Sequence, residues 1–147
     1  MAKIGIDARL NSYRTGGIST YTANLVQQLA LKRPLHDIIV FESRKRKQPL
    51  TTALASVKLW TPPHHRIERY ALSVELAAHD LDLLHSPDFI PPLRGAKRHV
   101  ITVHDLTFLH YPQYLTNDSR RYYNNQIEAA VRQADHILAV SDATRRD

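Results

Sequence analysis

The sequence predicts an α/β fold, a Rossmann-like, mostly parallel sheet with helices on both faces. Three observations carry this reading. Short apolar runs alternate along the chain with segments of helical period, the order expected of βαβ units. The run Asp37-Ile38-Ile39-Val40-Phe41 holds four adjacent apolar residues, three of them β-branched, which suits a strand buried on both faces and therefore parallel pairing. The 147 residues, 43% of them apolar, are enough for one core and too few for a second full domain, so residues 1–147 read as a single domain.

Lys3-Ile4-Gly5-Ile6-Asp7 is the first strand, and the polar, glycine-containing stretch from Asn11 to Gly17 is a loop. The next helix places Ile18, Tyr21, Leu25, Val26 and Leu29 at helical spacing, with Ser19 or Thr20 as its cap and Pro34 as its stop. After the strand 37–41, residues 43–55 carry little periodic signal, and Val57-Lys58-Leu59-Trp60 gives a short strand before Pro62-Pro63. Pro63 fits the first turn of a second helix whose buried face is then Ile67, Tyr70, Ala71, Val74 and Ala78, ending near His79-Asp80. Strands follow at 81–85 and 98–103, separated by a loop, 86–95, that carries three prolines. Asn117, Asp118 and Ser119 offer caps for a third helix with Tyr123, Ile127, Ala130, Val131 and Ala134 on one face. His136-Ile137-Leu138-Ala139-Val140 is the last strand, and Ser141-Asp142 caps a helix from Ala143. Because the sequence stops within that helix's first turn, it reads as a truncated domain.

Composition narrows the function. The chain has no cysteine, which excludes disulfide scaffolds, thiolate zinc sites and cysteine nucleophiles and agrees with a reducing compartment. The apolar runs are far shorter than the roughly 20 residues of a membrane span, and the N-terminus lacks a secretory signal, so a cytoplasmic location is expected. A formal charge of +6 favours anionic partners. Its densest segment, Arg44-Lys45-Arg46-Lys47, reads as a solvated loop, with contact to an anionic membrane surface, peripheral on its inner face, as the alternative. Without interleaved aromatic residues or a recognition motif, it does not point to nucleic acid.

Parallel sheets of this kind bind ligands beyond the carboxyl ends of their strands, here the loops 7–17, 85–88 and 104–110. Gly16-Gly17 before a helix lets backbone amides approach an anion such as a diphosphate, because a first turn presents unpaired N–H groups and a favourable dipole. The plain alternative is a tight helix start that needs glycine. The pair lies about nine residues after the strand and lacks a spaced third glycine, so it is not a dinucleotide fingerprint. His104-Asp105 brings an imidazole and a carboxylate to the ligand edge, where they can hydrogen-bond sugar hydroxyls; a metal pair, or a turn cap at Asp105, are the other readings. Ser86 stands at the neighbouring strand end and joins Gly16, Gly17, His104 and Asp105 as a candidate substrate-binding residue. His85, His104 and His110 show no metal-ligand spacing, and no metal site is assigned. Asp7 and Asp105 would suit magnesium-dependent phosphoryl transfer, but Asp7 is followed by Ala8-Arg9-Leu10 rather than further acids, and pairing with Arg9 or capping the loop is its more natural role. Tyr111, Tyr114, Tyr122 and Tyr123 offer either stacking surfaces for sugars or a partly buried helix face.

In combination, Ile4-Gly5-Ile6-Asp7-Ala8-Arg9, Gly16-Gly17-Ile18 with Tyr21 and Asn24-Leu25, Leu83-Leu84-His85-Ser86-Pro87, Val103-His104-Asp105-Leu106, Tyr111-Pro112 and Ala134-Asp135-His136-Ile137-Leu138-Ala139-Val140-Ser141 resemble the start of family-4 glycosyltransferases. The resemblance runs in order over nearly the whole chain. Within the family the chain is most similar to bacterial enzymes that transfer mannose or related sugars in polysaccharide assembly. The resemblance implies a GT-B architecture of two Rossmann-like domains facing a cleft, a retaining reaction, a nucleotide-diphosphate sugar as co-substrate, and neither cofactor nor obligatory metal. It also implies that residues 1–147 form the N-terminal, acceptor-side domain, that Gly16 and Gly17 approach the donor diphosphate, and that His104, the catalytic candidate, contacts the donor sugar. The family's acidic motif and the basic residues that neutralise the leaving diphosphate belong to a C-terminal donor-binding domain that has no counterpart in 1–147. The expected partners are therefore the donor, a glycan or lipid-linked acceptor, an anionic membrane surface and that second domain. A free-standing carbohydrate-binding module and an aspartate-based phosphoryl-transfer domain are the alternatives.

Overall fold

The computed structural model of the chain describes residues 1–32 and 35–147, and at 118–122, 124 and 125 it describes the backbone but not the side chains. Six strands, β1 (Lys3–Asp7), β2 (Asp37–Ser43), β3 (Ala55–Leu59), β4 (Leu81–Ser86), β5 (Ala96–Val103) and β6 (His136–Ala139), form one sheet in the order β3-β2-β1-β4-β5-β6. Every pairing is parallel. The helices are α1 (Gly17–Lys32), α2 (Glu68–Leu76), the single turn α3 (Thr107–His110), α4 (Asn117–Gln133) and the short α5 (Asp142–Arg146). The Rossmann-like parallel sheet read from the sequence is the fold observed.

Strand alternation divides the core. Ile38 and Val40 of β2 join Ile6, Ala8 and Val26 on the α1 face, while Phe41 joins Leu72, Leu76, Leu81 and Leu84 under α2. Gly5 completes this second face by leaving no room for more: a Cβ there would lie 2.7 Å from the Phe41 ring and 2.9 Å from Leu81. Phe89, Ile90, Ile101, Val103, Phe108 and Ala130 form a third cluster under α4. Arg69 ties α2 to α4 by donating to the side chains of Gln126 and Gln133, so these two helices share a face opposite α1.

Four readings of the sequence need correction or fall outside. Gly17 is the first helical residue of α1, so Ser19 and Thr20 lie inside the first turn rather than capping it; the Ser19 hydroxyl donates to Arg14 O and Thr20 N–H to Gly16 O. Pro63 does not open α2, which starts five residues later after a turn. The face assigned to α2 is rotated: Glu68, Leu72 and Leu76 are buried, and Ile67, Tyr70 and Val74 face solvent. Pro34 and the side chains of Asp118, Ser119 and Tyr122 lie outside the described residues. The Ser141 cap is as read, accepting from Thr144 N–H at 3.1 Å.

Candidate active site

The strand order reverses direction between β1 and β4, and a crevice opens there beyond their carboxyl ends, lined by Asp7, Arg9, Thr22, His64, Ser86 and Asp88. The chain leaves β1 through a 3-10 turn, Arg9–Ser12, that carries Arg9 inward until it is 1% exposed. Its Nε donates to Asp7 Oδ1 at 2.9 Å and its Nη2 to Asp7 Oδ2 at 2.7 Å. Nη2 also reaches Glu68 Oε1 at 2.7 Å, and Nη1 reaches Thr61 O at 2.8 Å. Burial acts to lower the Arg9 pKa, but the charges and hydrogen bonds of Asp7 and Glu68 outweigh it and hold the guanidinium above its ordinary value. Both Asp7 oxygens are thus committed to Arg9. Asp105 is exposed and accepts from Thr107 N–H at 2.9 Å, closing the turn that leads into α3, whose N-cap is Leu106. Among the described residues no three histidine, aspartate or glutamate side chains converge as a metal cage, and the phosphoryl-transfer alternative is left without a free pair of carboxylates.

Gly16 and Gly17 stand at the exposed start of α1. Among the described residues a Cβ on either would meet nothing within 4 Å, and neither backbone has positive φ, so no described neighbour and no turn requires glycine here. With glycine before the helix there is no side-chain cap, and the amides of Gly17, Ile18 and Ser19 find no acceptor among the described residues. One turn along α1, the Tyr21 ring meets the His104 imidazole edge-on, centroids 5.2 Å apart. His104 Nε2 donates to Pro87 O at 2.8 Å, and since a carbonyl only accepts, Nε2 carries the proton. Nδ1 is then the imidazole atom left for a ligand. The three loops read from the sequence as ligand edges do converge: Asp7 and Pro87 line one crevice, and His104 donates to Pro87 O.

Two neighbours of His104 differ from it. His85 is buried, with Nε2 on Thr102 Oγ1 at 2.8 Å, and burial, aided by the positive charge His104 can carry, pushes its pKa down to about 4. Ser86 is 2% exposed, and its Oγ finds no partner among the described residues although Ser86 lies in the wall of the crevice. A pH dependence follows from His85. Between pH 6.5 and 4 the unfolded chain binds a proton that the folded chain refuses, so acidification through this window should cost up to about 3 kcal/mol of stability. Denaturant midpoints of the native chain and His85→Leu compared across the window will check it. A native slope that survives in the variant assigns the effect to other groups.

Sequence reading missed the far wall of the crevice. His64, at φ 61 in the left-handed region, donates its N–H to Glu68 Oε2 at 2.6 Å, and its ring pairs with Asp88 Oδ2 at 2.6 Å. A chain of polar contacts thus crosses the site from Asp7 through Arg9, Glu68 and His64 to Asp88. Tyr111 and Tyr114 are exposed, while Tyr123 packs against Phe89 and Phe108.

A six-stranded parallel sheet with its polar crevice at the β1/β4 reversal defines a Rossmann-like domain. Residues 15–147 match Glycosyltransferase Family 4, and the chain belongs to that family. The solved structure of sucrose-phosphate synthase from Thermosynechococcus elongatus aligns with a TM-score of 0.58 at 15% identity, covering 93% of this chain and 42% of that one. An α-glucosyltransferase solved with UDP and a 13-mer DNA containing an HMU base aligns with a TM-score of 0.48 at 16% identity, covering 94% of this chain and 37% of that one. The chain therefore spans less than half the length of either structure. No curated protein matches it. Among the described residues no helix is long and apolar enough to cross a membrane.

Proposed function

We propose that the chain is the acceptor-side domain of a retaining glycosyltransferase that moves a hexose, mannose by its resemblance, from a nucleotide-diphosphate sugar to a glycan or lipid-linked acceptor. A second Rossmann-like domain completes the donor cleft. The observation that supports this best is the bare start of α1, where amides without an acceptor among the described residues and two unobstructed glycines lie one turn before Tyr21, whose ring meets His104. A diphosphate docked there meets directed N–H groups and the positive end of the helix dipole, while His104 Nδ1 accepts from a hydroxyl of the sugar it carries. Ser86 Oγ supplies a further hydrogen-bonding group in the crevice, on the acceptor side. No metal or cofactor is needed in this reading, because charge on the leaving diphosphate is neutralised by the second domain; the 147-residue chain alone folds without turning over donor. The run 44–47 meets an anionic membrane surface through salt-sensitive attraction, which makes the enzyme peripheral on the cytoplasmic side.

Gly17→Val tests the reading in a transferase that joins this chain to its donor-binding domain. The new side chain enters open space, so stability should change by no more than about 0.5 kcal/mol. Donor affinity should fall by about tenfold to a hundredfold, the loss of a charge-assisted contact or two. Titration with the nucleotide sugar and a thermal melt read the two effects separately. Unchanged donor affinity in a folded variant would sink the diphosphate role, and a large loss of melting temperature would make the glycine structural.

A further inference from the structure

Helix α2 is apolar on two faces. Leu72 and Leu76 enter the core, whereas Ile67, Tyr70 and Val74 are 58%, 68% and 77% exposed. Trp60, 68% exposed, adjoins this outer face at the end of β3, where the N–H groups of Trp60 and Thr61 donate to the Glu75 carboxylate of α2 at 2.6 and 2.7 Å. The basic run comes to the same place. Arg44 lies over the indole of Trp60 at 3.9 Å, and Lys45 over the ring of Tyr13 at 4.5 Å. No acidic residue is exposed within 44–49 or 60–78, because Glu68 is buried on Arg9 and Glu75 is turned to the β3 end.

Cations, an exposed tryptophan and tyrosine, and aliphatic side chains on one surface are the elements of an interfacial anchor: aromatic rings and aliphatic groups lie at the headgroup boundary while basic side chains meet anionic lipid. The exposed Asp80 shares a hollow with Val74, and Arg94 and Lys97 line that hollow beside it. Pairing with a second copy through a two-fold axis would bring the same basic run against itself, which electrostatic repulsion opposes. We infer that the outer face of α2, Trp60 and the run 44–47 form one surface that seats the protein on an anionic bilayer, with Trp60, Tyr70 and Val74 entering the headgroup region. This rests on, and extends, the electrostatic membrane contact proposed for 44–47.

Trp60 is the chain's one tryptophan, so its fluorescence reports the contact directly. With phosphatidylcholine vesicles containing phosphatidylglycerol, the emission should shift to the blue and be quenched by lipid brominated in its acyl chains. Pure phosphatidylcholine should give neither effect. Val74→Asp and Lys47→Glu, both at exposed positions, should each weaken vesicle binding by about tenfold with the thermal melt unchanged. Salt-sensitive sedimentation with no blue shift or quenching would overturn the insertion and leave the electrostatic contact standing. Absence of any binding to anionic vesicles overturns both. A blue shift that needs no vesicles and grows with protein concentration overturns the proposal in favour of self-association.

Discussion

Replacing Arg9 by methionine is expected to destabilise the domain by about 3–5 kcal/mol, the range for removing one partner of a buried ion pair. The guanidinium is 1% exposed and gives bonds to Asp7, Glu68 and Thr61 O, while the side chains of Asp7 and Glu68 are only 13% and 5% exposed. Methionine keeps much of the volume but leaves two carboxylates without their cation, and a charge stranded in that setting either retains its desolvation cost or takes up a proton. Against a total of about 5–15 kcal/mol for a domain of ordinary stability, most molecules could be unfolded at physiological temperature. Urea melts will give the number, and the triple change Arg9→Met, Asp7→Asn, Glu68→Gln should recover much of the loss by removing the charges together. A single-variant loss below about 1 kcal/mol would mean that water reaches the carboxylates and the pair stabilises little. The effect would reach the site as well, because Glu68 also accepts from the N–H of His64 and so fixes the far wall of the crevice.

How much of this was legible depended on whether the informative partner lay near in sequence. β2 announced itself through four adjacent apolar residues, and the observed strand, Asp37–Ser43, contains them with partners on both sides. The alternation of elements alone locates the strand ends and puts Ser86, His104 and the loop to Gly16 on one edge. Helix α2 shows why the rest failed. Its sequence holds two apolar stripes, and the longer, Ile67, Tyr70, Ala71, Val74 and Ala78, reads as the buried one. The sheet instead receives Leu72 and Leu76 together with a glutamate. Glu68 is buried against Arg9, 59 residues away in sequence, and no periodicity can reveal such a pair. The same holds for His64 and Asp88, 24 residues apart, neither of which sits in a motif. At the start of α1 the error was local: Ser19 and Thr20 are good caps by residue type, but Gly16, which lacks a capping side chain, precedes the helix. That departure from the usual preference is itself the signal, since a helix start without a cap leaves its amides for something else.

In the complete transferase, His104→Ala should lower kcat/KM by about 2–4 kcal/mol, roughly 30-fold to 1000-fold, if its contact with the sugar is worth what an oriented transition-state hydrogen bond is worth elsewhere. The cost to folding should be smaller, about 1 kcal/mol, because the variant forfeits one hydrogen bond to Pro87 O and an edge contact with Tyr21. The difference between these figures is the test of function. A residue that only holds the 85–88 loop would lose stability and activity together, and its replacement by glutamine, which can still donate to the Pro87 carbonyl, would restore both. A residue that orients the sugar through Nδ1 behaves otherwise: glutamine restores the melt, while turnover stays low unless its one carbonyl oxygen happens to reach the same hydroxyl. Donor affinity then separates binding from alignment, since a contact made equally before and in the transition state changes KM and leaves kcat unaltered. Near-normal turnover at saturating donor and unaltered donor affinity in a folded His104→Ala would remove His104 from the reaction. The imidazole would then serve to pin the Pro87 carbonyl, and the aligning role would pass to Ser86, whose buried hydroxyl has no partner among the described residues.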